Sequence, residues 1–318
     1  MLRAAIFGFG LCIILLLFFK FSRYLYIYLR PSSLPRYHHG PLPYALISGS
    51  TSGLGLSLAH ELLSRNFNII LHGNTPAKLR VTQNTLLAAF PNRKIRTFLA
   101  DATSADPAIF SRLSKLLDDL DGNLTIVINN VGGAPHIIPE TYKPFAQNSS
   151  NEISKMLRFN IEFAMQLTRT AMPKLLQSTP ALIITIGSHA DIGSPYLTTY
   201  SAAKAACMTW SRALKAEMQA EMKEVEVLGV MSGKTGTGTT EGAKLGIWVP
   251  GGKTMARGVL GKIGCGRDFV SGYWGHEVQR VFLEAMPEGM ARWALIKALK
   301  RLRDGSVVGA EGKSGKGL

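Results

Sequence analysis

At 318 residues the chain is long enough for one large α/β domain with appendages and short for two full domains. Its three cysteines, Cys12, Cys207 and Cys265, are far apart and odd in number, and its seven histidines do not cluster, so neither a disulfide framework nor a bound metal is expected. The formal charge of +15 comes without a basic helix interleaved with aromatics and without a zinc-finger or RNA-recognition motif, so nucleic acid is not the expected partner. The positive charge gathers instead beside the apolar N-terminus and in the last thirty residues, which suits anionic lipid headgroups and, secondarily, an anionic cofactor or substrate.

The first element in chain order is apolar. Ala4 to Phe19 carries no charge, and the aromatic YLYIYL follows it, so residues 1–30 read as an uncleaved membrane anchor rather than a signal peptide. Lys20, Arg23, Arg30 and Arg36 outweigh Arg3, which places the rest of the chain in the cytosol. Residues 31–43, rich in proline and polar side chains, read as a linker, and a folded domain is expected over 44–287.

Within that domain Tyr44–Ser48 is a short apolar strand. Gly49, Ser50, Thr51, Gly53, Leu54 and Gly55 follow it and lead into the helical pattern LSLAHELLSR. Glycines between a strand and a helix let the backbone approach a pyrophosphate, while the helix N-terminus faces the anion. Strands are then expected at Asn68–Leu71, Lys94–Ala100, Leu124–Ile128, Ala181–Ile186 and Val225–Met231, with helices between them, the longest over Glu152–Leu176 and Tyr200–Lys223. Short apolar runs alternating with helices predict an α/β fold, a doubly wound parallel sheet of the Rossmann type. Gly49, Asp101, Asn129–Gly132, Ser188 and Ser232–Gly233 all fall just past strand ends, where such sheets bind ligands.

Tyr200 and Lys204 stand four apart, on one face of a helix, and Ser188 lies twelve residues earlier at a strand end. A phenol ionises near pH ~10, and a neighbouring ammonium favours its phenolate, so the pair forms a candidate proton-transfer device.

Together these features resemble the short-chain dehydrogenase/reductase family over Tyr44 to about Val281. The resemblance implies an oxidoreductase that interconverts a ketone and a secondary alcohol. Asn160, Ser188, Tyr200 and Lys204 would be its catalytic residues. Tyr200 would act as the acid/base, Ser188 would hold the substrate oxygen, Lys204 would grip the nicotinamide ribose and Asn160 would fix a water. It also implies cofactor contacts at Gly49, Ser50, Thr51, Gly53, Leu54, Gly55, Asn74, Asp101, Asn129, Asn130, Val131, Gly132, Tyr200, Lys204, Gly233 and Thr237.

Three departures stand out. The Ser188–Tyr200 spacing is one residue shorter than the family's, Ser232 replaces the usual proline, and Asn74 stands where a cofactor-selecting residue is expected. With no acidic residue there to clamp a ribose diol, and with Thr75 and Lys78 beside it, NADP(H) is expected ahead of NAD(H). A gly-rich segment over about 233–273 is expected to be a mobile substrate loop, 288–303 an amphipathic helix and 304–318 a disordered tail.

The anchor, the basic C-terminus and the stretch GYWGHEVQ are similar to membrane-bound hydroxysteroid dehydrogenases and very-long-chain 3-ketoacyl-CoA reductases of fungal type. That similarity implies a lipophilic substrate (a sterol, a 3-oxoacyl chain or a polyketide-like ketone), a role in lipid metabolism at the endoplasmic reticulum, and compatibility with a homo-oligomer. The alternative reading is a non-catalytic dinucleotide-binding scaffold or redox sensor at the membrane.

Overall fold

The computed structural model describes residues 2–134, 141–237 and 244–314. Its framework is a single seven-stranded sheet in the order β3-β2-β1-β4-β5-β6-β7, with every neighbouring pair parallel. The strands are β1 (Pro43–Ile47), β2 (Asn68–Gly73), β3 (Ile95–Leu99), β4 (Asn123–Asn129), β5 (Ala181–Ile186), β6 (Val225–Met231) and β7 (Phe269–Ser271). Runs such as Thr125-Ile-Val-Ile and Ala181-Leu-Ile-Ile-Thr-Ile are buried along their whole length, as strands covered on both faces must be.

Alternate residues feed opposite cores. Ala45 and Ile47 join Leu58, Leu62, Ile69, Leu71, Met255 and Val259 beneath α2 (Gly53–Leu63), α3 (Pro76–Ala89) and α8 (Gly252–Gly261). Tyr44 and Leu46 join Ile70, Leu113, Leu167, Ile183 and Leu214 beneath α4 (Ala108–Asp118), α6 (Phe163–Gln177) and α7 (Thr198–Ala220). The strand order reverses between β1 and β4, and the carboxyl ends of those strands open the crevice that ligands use in such sheets.

Four expectations need correction. The segment 233–273 is largely packed structure rather than a loop. It contains α8 and β7, and Met255, Ala256, Val259 and Leu260 have no exposed surface because they share the helix face turned to α2. The helix expected over Glu152–Leu176 is two helices, α5 (Ser150–Leu157) and α6, joined by one π-helical turn, Arg158–Glu162. The linker is a strap bound to the domain. Ser33 N donates to Ile263 O at 3.1 Å, Ser32 Oγ to Leu260 O, and the hydroxyl of buried Tyr37 donates a hydrogen bond to Glu226. The terminal helix, following α9 (Trp274–Ala285), is α10 (Glu288–Ser314); it continues past Arg303 into the expected tail because no proline interrupts it. Residues 315–318 lie outside the described residues.

The N-terminal helix α1 (Leu2–Leu29) is long and apolar enough to cross a membrane, with mean hydropathy 2.3 over Ala5–Leu29 and none of its apolar window buried by the rest of the chain. Its C-terminal end docks on the domain. Ile27 is buried, Tyr28 Oη donates to Ser271 O at 3.0 Å, and Lys262 Nζ stands 3.8 Å over the Tyr28 ring.

Candidate active site

A cleft of about 620 Å³ opens along the carboxyl ends of β1 to β6, within the range of roughly 300–1,000 Å³ of small-molecule sites. One wall is the turn from β1 into α2. Gly49 has φ +64°, which an unbranched Cα tolerates, and a Cβ on Gly55 would lie 2.2 Å from Gly49 O. The N-cap Ser52 makes no side-chain cap, so the first amides of α2 are free to meet an anion. Thr51, Gly53 and Leu54 line the same wall.

His72, on β2, fixes this turn from below. Its Nδ1 accepts the Gly49 amide at 2.8 Å, and complete burial pushes the imidazole down to about 4, so it is neutral near pH 7. The wall continues through Gly73, the exposed Asn74, Thr75 and Lys78, with no carboxylate at this strand end. Asp101 also lines the cleft, with Oδ1 accepting the amide and hydroxyl of Thr103 at 2.8 and 2.9 Å.

Past β4, Asn130, Val131 and Gly132 form the floor. Asn130 Nδ2 donates to Ser48 O, and Ser48 Oγ accepts the amides of both Asn130 and Val131 at 2.8 and 3.0 Å, tying the two strand ends together. Opposite stand Ser188, at the end of β5, with Tyr200 and Lys204 on the first turns of α7. Lys204 is buried, donates from Nζ to Ile186 O at 3.0 Å, and lies 5.9 Å from the Tyr200 ring centroid. A Cβ on Gly132 would sit 2.5 Å from Lys204 Nζ and 3.1 Å from Asn160 Oδ1, so these three groups meet at one point. Ser188 Oγ accepts the Ala190 amide at 3.2 Å, leaving its proton available to the cleft. Gly233 and Thr237 close the far side.

Four of the residues expected at the site, Asn160 as the holder of a water and three as cofactor contacts, stand behind this wall and brace it. Ser50 is fully buried and accepts the His72 amide at 2.9 Å; Asn129 is buried with Nδ2 on Thr168 Oγ1 at 2.8 Å; Gly55 packs under Gly49. Asn160 is buried in the π turn. Its Oδ1 accepts the Gly133 amide at 2.8 Å, its Nδ2 donates to Gly133 O at 3.2 Å and Met156 O at 3.1 Å, and its carbonyl accepts the Cys207 thiol at 2.9 Å. Its side chain therefore positions the Gly132–Gly133 backbone.

Further residues shape the cleft and the loop beside it. Tyr142 lies close enough to Tyr200 for that residue's charge to add to burial in pushing the Tyr142 phenol up, and the segment carrying it is fastened by Lys143 to Glu152, 2.8 Å apart. Phe159 and Leu197 supply apolar surface. His276, wholly buried, takes the Gly233 amide on Nδ1 at 3.1 Å and meets Lys234 O through Nε2 at 3.0 Å; those partners set its tautomer and hold the loop after β6.

The geometry suits a dinucleotide. A glycine turn and an uncapped helix end face one half of the cleft, and a hydroxyl, a phenol and an ammonium converge on the other half. The short chain dehydrogenase sequence profile matches residues 43–246. A very-long-chain 3-oxoacyl-CoA reductase of Neurospora crassa is 33% identical over 247 residues, covering 76% of this chain and 72% of that protein. The protein of the same description from Pyricularia oryzae is 29% identical over 246 residues, with 76% and 72% covered. Among solved structures, a short-chain dehydrogenase from Sphingobium yanoikuyae in complex with NADPH is similar in fold, with a TM-score of 0.61 at 20% identity, covering 78% of this chain and 97% of that one. Profile, relatives and fold agree with the residues of the cleft, and the chain belongs to the short-chain dehydrogenase family.

Proposed function

We propose that the protein is a membrane-anchored, NADP(H)-dependent ketoreductase acting on long-chain 3-oxoacyl thioesters at the cytosolic face of the endoplasmic reticulum. The observation that carries this reading is the convergence of Ser188, Tyr200 and Lys204 on one cleft with the glycine turn. The substrate class follows the relatives' description together with the apolar α1. Preference for NADP(H) rests on the strand end at Gly73, where Asn74, Thr75 and Lys78 offer polar and cationic groups to a 2′-phosphate and no carboxylate opposes it.

When bound, the reduced nicotinamide supplies the hydride that goes to the carbonyl carbon. The residues of this chain handle everything else. The Ser188 hydroxyl donates a hydrogen bond to the carbonyl oxygen and orients it. Tyr200 gives its phenolic proton to that oxygen as it becomes the alcohol, and solvent then returns a proton to Tyr200. Lys204, with one donor spent on Ile186 O, keeps two for the nicotinamide ribose and for the solvent that reprotonates Tyr200. Val131 and Leu197 exclude water beside the reacting atoms.

The test is nicotinamide oxidation by the membrane-reconstituted full chain with 3-oxoacyl-CoA esters of increasing length, using NADPH and NADH in parallel. Turnover that rises with acyl length and favours NADPH is expected. Tight nucleotide binding without turnover on any ketone would instead favour a binding scaffold.

A further inference from the structure

Resting on the anchorage proposed above, we infer that the protein makes a second contact with the same lipid leaflet. The surface is built by the loop tip 245–248, α9 and the start of α10, and it sets the cleft mouth against the bilayer. α9 presents two unlike faces. Inward, His276 holds Gly233 and Lys234, and Arg280 meets Asp191, 3.2 Å away, in the turn after Ser188. Outward, Trp274, Val278, Val281 and Phe282 recur at the i, i+4, i+7, i+8 spacing of one helix stripe, and all are exposed, Phe282 at 65%.

Single exposed apolar residues are ordinary on soluble surfaces. This stripe is continuous with more. A Cβ on Gly275 would lie 2.6 Å from Ile247 O, so the loop tip with exposed Leu245, Ile247 and Trp248 rests on the first turn of α9. The same segment returns through the Gly236–Gly251 bridge to Thr235 and Thr237 in the cleft. Beyond Met286-Pro287, α10 adds exposed Met290 and Trp293, with Arg292, Lys297, Lys300 and Arg301 nearby to meet anionic headgroups.

Its occupant is indicated by what stands beside it. The hydroxyl of Tyr28 bonds Ser271 O, three residues before Trp274, so α1 leaves the domain next to the base of α9. Lys262 Nζ also donates to Ile27 O at 3.4 Å, and Arg267 stacks over Tyr24, so the helix exit is held at several points rather than swinging on a tether. A bilayer that receives α1 lies within reach of α9 and the loop tip, and an acyl chain can pass from lipid to the cleft without crossing water.

The four tryptophans supply the probe. Trp210 packs against the core and serves as reference; Trp248, Trp274 and Trp293 are exposed. The full chain is placed in phosphatidylcholine–phosphatidylserine vesicles as variants that keep Trp210 and one exposed tryptophan, the other two changed to Phe. Acyl-brominated lipid is expected to quench Trp248 and Trp274 several-fold more than Trp210, with aqueous iodide quenching them several-fold less than it quenches free N-acetyltryptophanamide. Iodide quenching without bromolipid quenching would overturn the inference while leaving anchorage intact. Shielding of Trp274 from both quenchers would also overturn it, and would point to a second protein copy on the patch. Failure of the chain to float with the vesicles would remove anchorage and inference together, whereas loss of turnover alone would touch neither.

Discussion

Gly132 lies where the backbone after β4 passes under the Lys204 ammonium, and the room there is smaller than one methyl group. In Gly132→Ala the new Cβ would stand 2.5 Å from Nζ, and a lysine tip moves aside more readily than backbone does. The fold is expected to survive while turnover falls by roughly 10²-fold, on the scale of a small misplacement of a catalytic group. Circular dichroism beside nicotinamide oxidation checks it; unchanged turnover would mean that Nζ has no required position. His72 makes a different prediction. Burial depresses its folded-state value to about 4 from the ordinary 6.5, so below about pH 6.5 the unfolded chain takes up a proton that the folded chain refuses until about pH 4. Stability should therefore drain away over that window, by about 3 kcal/mol from this residue. Urea unfolding at about pH 7 and about pH 4.5 should differ less in His72→Asn than in the parent chain; an identical difference would clear His72 of the effect. Tyr200 and Lys204 were legible in the sequence because a four-residue spacing is also a spatial neighbourhood on a helix. His72 was not, since a histidine inside a strand has no pattern that separates a hydrogen-bonded brace from an ordinary core residue.

At the scale of elements, the π turn between α5 and α6 and the inward face of α9 do the positioning. In the π turn the Asn160 carbonyl accepts the Cys207 thiol of α7, tying the two helices together. From the sequence that stretch read as one continuous helix, because a π turn keeps the apolar periodicity nearly intact. α8 and β7 were missed for another reason. A ten-residue helix with three glycines and a three-residue strand carry too little pattern to stand out from a loop until α2 and β6 are there to cover them. α9 braces the turn after Ser188 through Arg280 and Asp191, and burial pushes the Asp191 carboxyl up despite the guanidinium beside it. Arg280→Met should cost about 1–3 kcal/mol, since a largely buried carboxylate loses its partner, and should lower kcat more than it raises KM. Adding Asp191→Asn should recover much of the stability, a cycle read by denaturant unfolding. Additive losses in the double variant would mean that the two residues act separately.

Across the whole molecule, the parallel α/β sheet and its ligand-bearing edge were readable from alternating apolar runs, and the N-terminal apolar helix from composition alone. How that helix meets the domain was not. Proline and polar residues in 31–43 look like a free linker, yet Ser32, Ser33 and Tyr37 each find a partner more than a hundred residues away, which no local pattern encodes. The molecule thus combines a long apolar helix, a fastened strap and a parallel sheet whose cleft gathers residues from six strand ends. In the proposed function Tyr200 passes the proton that completes carbonyl reduction. The direct measurement is single-turnover reduction of a long-chain 3-oxoacyl-CoA by the NADPH-loaded full chain, parent against Tyr200→Phe, with NADPH affinity measured alongside. A loss of at least roughly 10²-fold in the reduction rate is expected, with nucleotide affinity nearly unchanged. A Tyr200→Phe protein that reduces the ketone at the parent rate would contradict it.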